Sequence, residues 1–111
     1  MTTTQSWKDI CAHSDLVANS GVCALVNEQQ VALFYLAAKG SVFAVSNFDP
    51  FGQANVLSRG LICSQGDTLT VASPLYKQHF CLQSGRCLED EENSIPAWQA
   101  RINNDRVELL I

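Results

Sequence analysis

Val31-Ala32-Leu33-Phe34-Tyr35-Leu36, a break at Lys39-Gly40, and Val42-Phe43-Ala44-Val45 together decide the fold. Two short apolar runs rich in β-branched and aromatic residues flank a glycine that can take positive φ. That is the signature of a β-hairpin rather than a helix. Val31, Leu33 and Tyr35 fall on one face of an extended chain, because successive Cβ atoms point to opposite sides. The run Val42 to Val45 does not alternate at all, so it is expected to be buried on both faces.

Working outward, similar runs recur at short intervals. Before the hairpin come Trp7 to Ile10 and Val22 to Val26. After it come Leu61 to Cys63, Leu69 to Ala72, His79 to Leu82, Trp98 to Ile102, and Val107 to Leu110. Turn residues separate them: Gln65-Gly66-Asp67, Ser84-Gly85 and Asn103-Asn104-Asp105, the last joining two runs as a hairpin. Cys11 to Gly21 has room for one helical turn, and Asp49 to Ser58 is read as non-strand. The spacing predicts an all-β sandwich with little helix, not βαβ units. With 111 residues the chain is expected to form one domain, residues 1–111, with a core large enough to need no metal or disulfide.

Composition excludes several functions. The net charge is −4 and the seven Lys and Arg are scattered along the sequence. No basic stripe exists to hold a nucleic-acid backbone or an anionic membrane. Only 16% of residues are charged, which leaves apolar surface uncovered and points toward an interface. Met1 to Trp7 carries no basic and apolar leader pattern, and the apolar runs are too short to cross a bilayer, so a soluble, cytoplasmic protein is expected. Five cysteines without a C-x-x-C read as reduced thiols, most of them buried as small hydrophobes. His13 lies in a polar stretch and is expected to be exposed.

The motifs of catalysis are missing. There is no dinucleotide fingerprint, no phosphate loop and no nucleophile elbow. His79, Cys81 and Cys87 lack zinc-site spacing. Ser73 with His79 lacks an orienting acid and an oxyanion hole. The run Glu89-Asp90-Glu91-Glu92 reads first as a solvated loop, and second as a docking patch for a basic partner.

Two segments stand apart: Val45-Ser46-Asn47-Phe48-Asp49-Pro50-Phe51-Gly52 and Val71-Ala72-Ser73-Pro74-Leu75-Tyr76-Lys77-Gln78-His79-Phe80. Each is a strand followed by a turn centred on proline. They resemble the two cluster-binding loops of Rieske [2Fe–2S] domains, in which two cysteines hold one iron and two histidines the other. Asn47, Pro50, Pro74 and Phe80 match that pattern. At the four ligand positions the resemblance puts Asp49, Phe51, Ser73 and Tyr76 instead. Phe51 has no donor atom, and a carboxylate, a hydroxyl and a phenol do not make a soft site for a sulfur cluster. No cluster is expected. Phe51 and Tyr76 are expected to fill the space it would occupy, and Asp49 to bond the facing backbone amides.

Over nearly its full length the chain is similar to the small subunits of bacterial cytoplasmic NAD(P)H-dependent nitrite reductases. The segments that carry this are Trp7-Lys8-Asp9-Ile10-Cys11, Gly21-Val22-Cys23-Ala24-Leu25, Ser46 to Phe51, Val56 to Leu61, Val71 to Leu75, and Cys87 to Glu91. That resemblance implies a Rieske-like antiparallel β-sandwich with a smaller loop subdomain. It implies a large subunit partner bearing FAD, sirohaem and a [4Fe–4S] cluster that reduces nitrite to ammonium in nitrate and nitrite assimilation or detoxification. It implies no catalytic site, cofactor or metal in this chain itself. The expected partner contacts are Phe48, Phe51, Leu75 and Tyr76 at the loop tips, with Glu89 and Asp90 in the acidic run. The competing expectation is an iron-free Rieske-like adaptor in another redox complex.

Overall fold

The computed structural model describes residues 5–75 and 77–111. The hairpin at the centre of the sequence is also the centre of the molecule. β3 (Gln29–Leu36) pairs antiparallel with β4 (Ser41–Ser46), from Val31 opposite Ser46 to Leu36 opposite Ser41. Gly40 closes the turn at a φ of +61°, a conformation that costs an L-residue with a Cβ but not glycine. β2 (Ser20–Val26) joins the other side of β3 through a two-residue turn at Asn27 and Glu28, both at positive φ. That geometry matches the right-handed twist of the flanking strands. The short β10 (Ala97–Trp98) completes a four-stranded sheet in the order β10-β4-β3-β2.

This sheet is covered on both faces, and its central strands divide their side chains between two cores. Val31, Leu33, Val42 and Ala44 face a second sheet and pack with Val107 and Leu109. That second sheet has the order β1-β12-β11, from β1 (Trp7–Ala12), β12 (Arg106–Leu110) and β11 (Ala100–Asn103). Ala32, Phe34 and Val45 point the other way and pack with Leu57, Val71, Phe80 and Leu82. These come from a smaller subdomain built on β7 (Leu61–Gln65), β8 (Thr68–Ala72) and β9 (His79–Cys81), which form one antiparallel sheet. Leu33 and Phe34 are both fully buried. Each fully buried side chain of this size contributes about 1.5–3 kcal/mol, so β3 anchors both layers at once. The result is the antiparallel β-sandwich with a loop subdomain that the sequence leads one to expect.

All the turn residues anticipated at Gly40, Gly66, Gly85, Asn104 and Asp105 adopt positive φ. Four expectations need correction. The run Trp98 to Ile102 is not one strand. Trp98 pairs with Ala44 in the first sheet, whereas Ala100 pairs with Leu109 in the second. The chain switches sheets at Gln99, whose carbonyl accepts from the Leu110 amide at 3.0 Å. The stretch Asp49 to Ser58 is bounded by a small ribbon, β5 (Phe48–Asp49) paired with β6 (Ala54–Asn55), and continues into a 3-10 turn at Leu57–Arg59. Of the cysteines only Cys87 is fully buried, and Cys23 is exposed; Cys11, Cys23, Cys63 and Cys81 all lie on edge strands of their sheets, where one flank is less well covered than on a central strand. His13 is half-buried with its ring edge-on to Tyr35, centroids 5.1 Å apart. It sits in the single 3-10 turn expected between β1 and β2, His13–Asp15.

Candidate functional site

The alternation of β5 sets the first loop. Phe48 points outward at 42% exposure, so Asp49 points inward and is fully buried. A buried carboxyl group needs donors. Asp49 Oδ1 accepts from the amides of Phe51 at 2.9 Å and Gly52 at 3.3 Å. This is the Asx-type turn expected on either side of Pro50. Asn47, 1% exposed, holds the base of the loop. Its Nδ2 donates to Gln30 Oε1 at 3.0 Å and its Oδ1 accepts from the Ser58 amide. It thereby ties the loop to the β2–β3 hairpin and to the turn that follows.

The second loop leaves β8 at Ser73, also 1% exposed. The Ser73 amide donates to the Gln78 carbonyl at 2.9 Å, and the Lys77 amide to the Ser73 carbonyl at 3.1 Å. The Ser73 hydroxyl accepts from the Leu75 amide at 3.2 Å and donates across the gap to Asp49 Oδ2. Two further contacts close the loops on each other. Phe51 packs on Phe80, with ring centroids 6.3 Å apart and planes tilted by 50°. Gly52 lets Leu75 lie directly on its Cα, where any Cβ would collide with Leu75 Cδ1.

Asp49, Phe51 and Ser73 are therefore brought together. Tyr76 lies outside the described residues. Phe51 is half-buried against the core, while Phe48 and Leu75 remain exposed at the loop tips. The acidic run is more structured than a solvated loop. Glu89 accepts from the His79 amide at 2.7 Å and pairs with His79 Nδ1 at 2.8 Å. Asp90 caps the 3-10 turn Glu91–Asn93 by accepting from the Glu92 amide. Glu91 pairs with Arg86. Burial pushes the Glu89 carboxyl up, but the hydrogen bonds from His79 and its charge outweigh that and hold it below its ordinary value. The Cys81 thiol is likewise pushed up by burial, yet lies below its ordinary value. Ser84, the Gln83 amide and Arg86 favour its charged form.

The donor set does not suit a [2Fe–2S] cluster. Four thiolate or imidazole donors would have to converge. Here the Phe51 ring offers no donor atom, and the Asp49 carboxyl and Ser73 hydroxyl are bonded to each other. Among the described residues no group of three His, Cys, Asp or Glu side chains is placed to hold a metal ion. Nor does any histidine stand behind Ser73 as a base; its hydroxyl donates to a carboxyl group instead.

Comparison with known proteins identifies the class first. The Rieske-like [2Fe-2S] domain family matches residues 6–110, and the chain belongs to it. Within that class the relatives are specific. The nitrite reductase (NADH) small subunit of Escherichia coli K12 is 48% identical over 103 residues, 93% of this chain and 95% of that protein. The solution NMR structure of the E. coli protein NirD superposes with a TM-score of 0.87 at 46% identity, covering 97% of this chain and 98% of that one. A nitrite reductase [NAD(P)H] large subunit from Klebsiella oxytoca contains a segment 36% identical over 104 residues, 94% of this chain but 11% of that protein. No helix among the described residues is long and apolar enough to cross a membrane.

Proposed function

We propose that this chain, a single Rieske-like domain, is the non-catalytic small subunit of an assimilatory NAD(P)H-dependent nitrite reductase. It associates in the cytoplasm with a large subunit that carries FAD, sirohaem and a [4Fe–4S] cluster and reduces nitrite to ammonium. The observation that carries this reading is the recurrence of the same domain in two settings. It is a free-standing small subunit in E. coli and a segment inside the large subunit in K. oxytoca. A domain found both free and covalently joined to the same enzyme is expected to dock on it where the two are separate chains.

In this reading Asp49, Phe51, Ser73 and Tyr76 stand where cluster ligands stand in iron-binding relatives, and the chain itself transfers no electrons. Its contribution is assembly and stability of the large subunit, with Phe48 and Leu75 among the contacts. The test is purification of the tagged chain from cells grown on nitrite. Co-purification of a large subunit with flavin and sirohaem absorption bands is the expected result. A colourless chain without that partner would overturn the proposal.

A further inference from the structure

Four of the seven Lys and Arg residues make no ion pair with any described residue. Arg86, Arg101 and Arg106 are matched to Glu91, Glu108 and Asp9. Of the remaining four, Arg59 and Lys77 come together in space although 18 positions separate them in sequence. Both line a cleft of about 400 Å³ at the flank of the two loops, between the start of β7 and the loop that follows β8. His79 joins them. Its Nδ1 is engaged by Glu89, which leaves Nε2 as the free ring nitrogen of a cleft-lining side chain. No carboxylate of the described residues lines this cleft.

The rest of the wall is apolar. Leu61 is 74% exposed on the rim, and Pro74 and Ala72 complete it. Gly60 contributes bare backbone. A Cβ there would meet the Ala72 carbonyl and the Val71 side chain. Lys77 carries a second mark. It sits at a φ of +64°, where glycine or asparagine is cheaper than any residue with a long side chain. Strain of this kind persists where a side chain is needed for something other than local stability.

Unpaired cations beside an exposed leucine, on a protein of net charge −4, select a partner by charge and by apolar contact together. We infer that this cleft is the docking site for an acidic segment of the large subunit, one carrying carboxylates beside an apolar side chain. The inference rests on the small-subunit reading above. The segment's carboxylates meet Arg59 and Lys77, and its apolar side chain covers Leu61 and Pro74.

The test is equilibrium binding of the chain to isolated large subunit at low and at high salt. Arg59→Glu with Lys77→Glu is compared with Lys8→Glu with Lys39→Glu. The latter reverses two exposed cations outside the cleft and alters net charge equally. The cleft double variant is expected to bind about tenfold or more weakly at low salt, with the gap narrowing as salt screens the contacts. The control pair is expected to stay within about threefold. Lys77→Gly, which relieves the left-handed backbone, should bind more weakly while melting no lower than the native chain. Equal weakening by both double variants would reduce the effect to overall charge and overturn the cleft. Native affinity in the cleft variant would do the same. Failure of the unaltered chain to bind large subunit would instead overturn the small-subunit reading, and the cleft with it.

Discussion

Replacing Asp49 by alanine tests whether the two loops are held by the bond between them. The side chain is fully buried and accepts three hydrogen bonds: two from amides and one from the Ser73 hydroxyl. Each such bond is worth about 1 kcal/mol net, and a buried hydroxyl left without its acceptor costs at least as much. The loss should be about 3 kcal/mol, which for a domain of this size lowers Tm by roughly 10–20 °C. Asp49→Asn keeps the shape and the Oδ1 acceptor, and the Ser73 hydroxyl can rotate to accept from the new amide. That variant should lose about 1 kcal/mol or less. A double-mutant cycle with Ser73→Ala isolates the cross-loop bond. The two single losses should exceed the double loss by about 1 kcal/mol. Thermal and urea denaturation both read these quantities. A cycle with no coupling, or an asparagine variant as damaged as the alanine one, would refute the reasoning.

Phe51→Ala should cost about 2 kcal/mol by urea denaturation, less than the 3–5 typical of a fully buried ring. Phe51 is only half-buried, and among the described residues its aromatic neighbour is Phe80. An unchanged stability would mean that the ring contributes nothing to the loop pair. Glu89→Gln should flatten the acid limb of the stability curve. A carboxyl held below its ordinary value in the folded chain adds stability above the usual glutamate range, and that contribution declines as pH falls through the folded value. Melting scans in the acid range below about pH 5 check this; superimposable native and variant curves would contradict it. Cys81 should react faster than Cys11 or Cys23 with a disulfide reagent near neutral pH. Its thiol lies below its ordinary value, while burial raises those of Cys23 and Cys11, the latter also raised by Asp15. Mass mapping of the modified peptides checks the order, and preferential modification of Cys23 would reverse it.

The fold was legible wherever its cause is local. Alternation in Val31 to Leu36 and the unbroken run Val42 to Val45 report side-chain direction and burial, and those are what the central sheet uses. The positive-φ turns at Gly40 and Asn104-Asp105 are equally local. The sheet switch at Gln99 was not legible. Trp98 to Ile102 reads as one extended run, and nothing in an extended run names the strand it pairs with. The same limit applies to the acidic run. Glu89 is tied to His79, ten positions away, so a sequence reading sees four solvated charges where the fold gives Glu89, Asp90 and Glu91 internal partners. The prolines and Asn47 pointed to the two loops. The cleft did not show itself, because Arg59 and Lys77 look like scattered cations until β7 and β8 bring them together.

The loop pair shows how a shape can be kept while its chemistry changes. In an iron-binding Rieske centre, strong metal–ligand bonds join two loops. Among the described residues of this chain the join is made by the Asp49–Ser73 hydrogen bond, the Phe51–Phe80 contact and Leu75 seated on Gly52. Contacts of this kind are each worth about 1 kcal/mol, so most of the rigidity must come from below. Asn47 supplies part of it by pinning the first loop to the central sheet, and Phe80 supplies more by anchoring the second loop in the core. A loop pair braced from its base leaves its outer side chains free for contact. Phe48 and Leu75 project at the tips, and Arg59 and Lys77 line the flank without internal partners among the described residues.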